Sequence, residues 1–127
     1  MKAKVKINYD AINGIREVAI EALCKTADAI KTDLVNSQTM PFDTGELQNR
    51  NTYVDYKYKK IGKVRIVSDT PYARRLYFHP EYDFNQDKNA HAGGLWFKPY
   101  INGNKKKFAQ NAFNRFMRSN KIWLYWN

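Results

Sequence analysis

The chain has 127 residues, which is enough for one domain and too few for two ordinary ones. A content of 43% hydrophobic and 15% aromatic residues argues against a disordered chain, and no apolar run is long enough to cross a membrane. The net charge of +10 is uneven, because the residues from Lys88 onward include eight basic and no acidic side chains. Such one-sided charge favours an acidic partner, although a basic face that serves only solubility is the alternative. We expect a soluble single domain over residues 1–127, made in the cytoplasm.

The first third of the chain predicts a strand followed by a long helix. The segment KAKVKI alternates lysines with apolar residues, as a short edge strand does. Apolar residues then recur at steps of three and four from Ile12 to Leu34, which predicts an amphipathic helix over residues 11–36. Asp10 is the predicted N-cap of this helix, and Pro41 is predicted to close it.

The corner MPFDTGELQNR follows the helix and is predicted to be a structural turn without chemistry of its own. Aspartate and threonine side chains can bond the local backbone, glycine adopts a positive φ, and the leucine anchors the next strand. The predicted turn residues are Pro41, Asp43, Thr44, Gly45 and Leu47.

The middle of the chain predicts an antiparallel hairpin. NTYVDYKYKK and KVRIVSD both alternate apolar and polar residues, and Gly62 between them suits a tight turn. DTPYARRLYFHPEY fits either a helical turn or an edge strand. Residues 81–94 predict a polar loop, residues 104–119 a second amphipathic helix, and residues 119–127 an aromatic tail. The predicted fold class is therefore α+β, with a long N-terminal helix and a C-terminal helix packed on one face of a small antiparallel sheet.

Catalytic patterns are weak in this sequence. His79, Glu81, Asp83, Asp87 and His91 could converge on a metal ion only if the loop brought them together. A small basic ribonuclease is a further alternative, in which His79 and Glu81 would exchange protons and Arg74 and Arg75 would hold a phosphate. We expect neither a cofactor nor a metal.

Binding of nucleic acid without catalysis is the stronger general alternative. Basic residues alternate with tyrosines on the hairpin, although such tyrosines are also ordinary cross-strand packing. The candidate contacts with DNA or with an acidic partner are Lys57, Lys59, Lys60, Lys105, Lys106, Lys107, Arg115 and Arg118.

The order of two motifs resembles a known family. PFDTGEL follows the long helix directly, and SDTPYARRLYFHPE comes about 25 residues later, ahead of a loop with Trp96 and a C-terminal helix. In this respect the chain resembles the minor capsid and tail-completion proteins of tailed bacteriophages, the small neck proteins that join head to tail. The resemblance covers roughly residues 3–118, and the aromatic end KIWLYWN departs from the family pattern.

The resemblance implies a non-enzymatic structural role as a ring-forming subunit of the virion. The implied partners are copies of the chain itself, other neck, portal or tail proteins, and DNA passing through the channel, with no membrane involved. The implied location is the virion, and the host cytoplasm during assembly. No catalytic residue is carried over from the family. The candidate interface residues are Tyr72, Arg74, Arg75, Tyr77, Glu81, Asp83 and Trp96.

Overall fold

The structure is a computed structural model of the chain, and it describes residue 3, residues 8–41 and residues 51–119. Its described residues form a long N-terminal helix, a two-stranded antiparallel sheet and a C-terminal helix that packs against the first. This mixed architecture confirms the predicted α+β class. The elements in chain order are α1 (Tyr9–Asn36), β1 (Thr52–Asp55), β2 (Arg65–Ser68), α2 (Ala73–Tyr77), α3 (Lys98–Asn102) and α4 (Phe108–Ser119).

The ends of α1 are set by residues other than those predicted. Asn8 is the N-cap, because its backbone is extended and its side-chain oxygen accepts from the Ala11 amide at 3.0 Å. Asp10 lies inside the first turn, so its predicted capping role is wrong. At the other end Gln38 has a φ of 56°, which takes the chain out of the helix before Pro41 is reached. The predicted end at residue 36 is therefore confirmed, but Pro41 does not cause it.

The hairpin has the predicted pairing and a longer connection than a tight turn. Thr52 pairs with Ser68 at one end of the ladder, and Asp55 pairs with Arg65 at the other. A single 3-10 turn over Lys59–Ile61 links the strands, and Gly62 follows with a φ of 80°, as predicted for this glycine.

The core lies near the C-terminal end of α1. Its buried residues are Leu34, Met40, Ala73 and Trp96, each at most 3% exposed. Pro41 is half-buried beside Met40. Of the other predicted turn residues, Asp43, Thr44, Gly45 and Leu47 lie outside the described residues, as do most of the predicted N-terminal strand and the aromatic tail from residue 120 on.

The C-terminal half consists of short helices that position one another. The ambiguous segment DTPYARRLYF contains α2, so the helical interpretation is the correct one. The predicted second helix begins at Phe108 and not at residue 104, because residues 104–107 form turns after α3. Helix α4 is antiparallel to α1: Phe108 contacts Tyr100, which bonds Asp33, whereas Phe113 lies by Ala19 and Leu23. None of the helices in the described part of the chain is long and apolar enough to span a membrane.

Candidate interaction surface

Helix α2 has one buried side and one exposed side. Ala73 faces the core at 3% exposure, and Leu76 and Tyr77 pack against the core residues. The opposite side carries large aromatic and charged side chains, with Phe78 61% exposed. We call this side and the turn that follows it the α2 surface; its residues are Tyr72, Arg74, Arg75, Phe78, His79, Glu81 and Tyr82.

Four side chains of the α2 surface hold one another in place. The His79 and Tyr82 rings stack with centroids 4.6 Å apart and planes at 8°. His79 Nδ1 lies 2.7 Å from Glu81 Oε1, and this hydrogen bond lowers the pKa of the Glu81 carboxyl. The Arg75 guanidinium lies 5.7 Å from the centre of the Tyr82 ring, as a cation–π contact requires. The cluster is therefore organised before any partner binds, which reduces the entropy cost of binding.

Arg74 and Phe78 lie beside this cluster, with the Phe78 ring edge-on to Tyr77 at 5.0 Å. Both line an open hollow of about 480 Å³, together with Pro71, Arg75 and His79. In the part of the chain that the structure describes, no acidic side chain pairs with Arg74. An exposed phenyl ring next to an uncompensated guanidinium offers apolar contact and positive charge at one place.

The groups of the ribonuclease alternative do lie near one another. His79 and Glu81 are in contact, and both arginines line the hollow beside His79. However, the His79 and Glu81 side chains are 44% and 65% exposed, so the pair is not desolvated as acid–base groups in active sites commonly are. The metal alternative has less support, because no three His, Cys, Asp or Glu side chains of residues 8–41 and 51–119 lie close enough together to hold an ion.

Two predicted interface residues are less exposed than the others. Trp96 is 2% exposed and its indole Nε1 donates to Ser68 Oγ at 3.2 Å, so the ring lies in the core of the single chain. Its assignment to an interface stays a prediction. Tyr77 is half-buried, and burial raises the pKa of its hydroxyl. The remaining candidates, including the exposed Asp83, stay predictions.

The sequence-based list missed Phe78, His79 and Tyr82 as interface candidates. The spacing would have indicated Phe78, because Arg74 and Phe78 are four residues apart and therefore share a face of a helix. The sequence left open whether this segment is a helix or a strand, so the shared face was not predicted.

The loop over residues 81–94 is anchored at its second half. The amides of His91 and Gly93 donate to the carbonyls of Gln38 and Thr39 at 3.1 and 3.0 Å. The Asn89 side chain, 5% exposed, donates to the Met40 carbonyl at 2.8 Å. The second half of the predicted polar loop is therefore held against the segment that follows α1.

The candidate basic contacts divide between two ends of the molecule. Lys105 Nζ lies 2.7 Å from Asp33 Oδ2, near the C-terminal end of α1. Lys60 lies at the other end, where Arg16 donates to its carbonyl at 2.7 Å. The rise of about 1.5 Å per helical residue separates Arg16 and Asp33 by roughly 25 Å. Lys60 and Lys105 therefore lie near opposite ends of α1.

Comparison with known proteins identifies no relative of the chain. A scan against protein-family models finds no match to the chain, and searches of the curated proteins and of the solved structures find none either.

Proposed function

We propose that the chain is a structural protein of a tailed phage or prophage virion, acting in head–tail joining or tail completion as a ring-forming neck subunit. It acts by binding copies of itself and the neighbouring neck, portal or tail proteins, without catalysis and without a cofactor. Its place is the virion, and the host cytoplasm while the particle assembles.

The observation that carries the proposal is that the residue before the first motif and a residue of the second lie in one core. Met40 directly precedes PFDTGEL, Ala73 lies within TPYARRLYF, and Trp96 follows the loop. The three side chains pack together against Leu34 at the end of α1. The chain just before the first motif and the second motif are therefore neighbours in space, which supports reading the two motifs as one family pattern.

The α2 surface supports an assembly role for the same protein. Aromatic residues and arginine are enriched where protein interfaces concentrate their binding energy. Here Tyr72, Phe78 and Tyr82 are all at least 36% exposed, and they surround two arginines. A ring requires two different faces on each subunit, and we assign the α2 surface to one of them.

The direct test is the assembly state of the purified protein. Light scattering and electron microscopy should find closed rings of many copies, and the gene should lie among portal, capsid and tail genes. A strict monomer at high concentration, encoded next to an antitoxin-like gene, would contradict the proposal. RNA cleavage that is lost in His79→Ala would instead establish the ribonuclease alternative.

A further inference from the structure

The hairpin carries a concentration of positive charge that the ring proposal does not use. Residues 52–68 contain five basic side chains and a single acidic one, Asp55. Asp55 is paired with Arg65, so its charge is already neutralised. Four exposed lysines remain on and beside the connection: Lys57, Lys59, Lys60 and Lys63. We call the segment from Lys57 to Lys63 the hairpin tip.

The backbone of the hairpin tip is held in one conformation. The Arg16 guanidinium of α1 donates to the Lys60 carbonyl at 2.7 Å. Just before the tip, the Tyr56 hydroxyl donates to the Asp28 carboxylate of α1, a bond that raises the pKa of Tyr56 to about 12. Within the turn, the Gly62 amide donates to the Lys59 carbonyl at 3.0 Å. The backbone that carries the lysines is thus held by hydrogen bonds before binding, so that little backbone entropy is lost when a ligand binds.

Three cationic side chains of the hairpin lie close to the Tyr58 ring. Lys57 Nζ, Lys63 Nζ and the Arg65 guanidinium lie 5.4, 6.0 and 5.7 Å from its centre. Each distance is within the range of a cation–π contact. The ring itself is 39% exposed. Positive charge and exposed aromatic surface therefore meet at one place on the hairpin.

The C-terminal end of α4 adds to the charge at this end of the molecule. Phe113 and Ile61 line one hollow with Arg16 and Leu23, so α4 passes beside the hairpin tip. Because α4 is antiparallel to α1, its later residues Arg115 and Arg118 lie toward the N-terminal half of α1. Both arginines are exposed.

We propose that the hairpin tip binds the phosphate backbone of duplex DNA without sequence preference. Duplex DNA carries one negative charge per about 1.7 Å of helix axis, a density that suits four exposed lysines close together on one short turn. Its major groove also admits a two-stranded β-ribbon. Lysine binds phosphate as a point charge, and contacts of this kind position a protein on DNA without reading its sequence. This binding is independent of ring formation, so either proposal can fail without the other.

The test compares two variants that carry the same change of charge. Lys59→Glu/Lys60→Glu alters the hairpin tip, and Lys88→Glu/Lys98→Glu alters two exposed lysines toward the C-terminal end of α1 that are not among the candidate DNA contacts. Fluorescence anisotropy with a short labelled duplex of mixed sequence gives each affinity between about 50 and 200 mM salt, the range over which phosphate contacts lose strength. Thermal denaturation by circular dichroism confirms that both variants are folded.

We expect the hairpin variant to bind about tenfold or more weakly than the unaltered chain, and its slope of log affinity against log salt to shrink by about 2. The control variant should lose less than about threefold, because it removes only long-range attraction. Equal losses in the two variants would overturn the proposal, since net charge alone would then explain the binding. Displacement of the DNA by polyglutamate at equal charge concentration would also overturn it, in favour of an acidic protein partner.

Discussion

The ring of Tyr77 stands edge-on to the indole of Trp96, with centroids 4.9 Å apart and planes at 86°. On its other side Tyr77 meets the Phe78 ring in the same manner at 5.0 Å. Such edge-to-face pairs stabilise beyond their buried area. One half-buried tyrosine therefore connects the core to the α2 surface, and a change at Trp96 should disturb both stability and the exposed face.

Trp96→Ala should lower the free energy of unfolding by about 3–5 kcal/mol, because it empties the largest buried site of the core. Trp96→Phe should lower the free energy of unfolding by less, because phenylalanine fills most of the same space. It still loses the hydrogen bond to Ser68. Urea denaturation followed by circular dichroism measures both. A loss below about 1 kcal/mol for Trp96→Ala would place this ring outside the core.

The two neighbouring glycines of the loop should respond differently to a methyl group. A Cβ at Gly94 would lie 2.9 Å from the carbonyl oxygens of Leu76 and Tyr77, which are backbone atoms that cannot turn away. At Gly93 the nearest atom would be 3.9 Å away, an ordinary contact. We expect Gly94→Ala to cost about 1–3 kcal/mol and Gly93→Ala to be close to neutral in the same denaturation experiment. Similar costs at the two sites would contradict this packing of the loop against α2.

The elements predicted from the sequence are those with a repeated local pattern. Helix α1 has seven apolar residues at helical spacing, and the hairpin has alternation on both strands with Gly62 between them. Helices α2 and α3 are five residues long, too short for such a period to appear. Their positions depend on contacts far along the chain.

Burial was the property that local patterns left undetermined. Trp96 lies next to a polar loop in sequence, and its contacts with residues distant in the chain, among them Leu34 and Ser68, place it inside. The Asn89 bond to the Met40 carbonyl and the Lys105 pair with Asp33 are likewise long-range. No local period encodes contacts of this kind, so the candidate surface could be located only roughly.

The Asp33 carboxylate should make stability depend on acidic pH. Burial opposes its charge, but Lys105 Nζ at 2.7 Å and the Tyr100 hydroxyl at 2.6 Å outweigh burial, and the pKa of Asp33 is lowered. A carboxyl with a lowered pKa in the folded state stabilises the fold above its unfolded pKa, and this contribution is lost as the pH falls through the folded value. Asp33→Asn should therefore cost about 1 kcal/mol at neutral pH, and the difference should narrow below about pH 4.

Glu21→Gln is the matched control for that measurement. Glu21 pairs with Lys25 on the exposed side of α1, and both side chains are about half exposed. Such a pair is worth only about 0.3–0.5 kcal/mol. Chemical denaturation between neutral pH and about pH 2 gives both curves. A difference for Asp33→Asn that does not change with pH would mean that the carboxylate charge is not what stabilises this site.

Two threonines with buried hydroxyls should behave oppositely when replaced by valine. In the described part of the chain, the Thr70 hydroxyl is buried without a hydrogen-bond partner. The Thr52 hydroxyl is buried as well, but it bonds Ser68 Oγ at 3.0 Å. Thr70→Val should be neutral or stabilising by about 1 kcal/mol, and Thr52→Val should be destabilising by a similar amount. Thermal unfolding of the two variants should therefore shift in opposite directions, and a clear loss for Thr70→Val would reveal a partner for its hydroxyl.

The most direct measurement of the central claim is the assembly of α2-surface variants. Phe78→Ser and Arg74→Glu each alter the exposed face of α2, and Ile101→Ser is the matched control, because Ile101 is 72% exposed on α3. Sedimentation velocity and electron microscopy give the number of copies in each assembly. We predict rings for the unaltered chain and for Ile101→Ser, and smaller species for the two α2 variants. Rings of unchanged size in both α2 variants, or an unaltered chain that never assembles, would contradict the account.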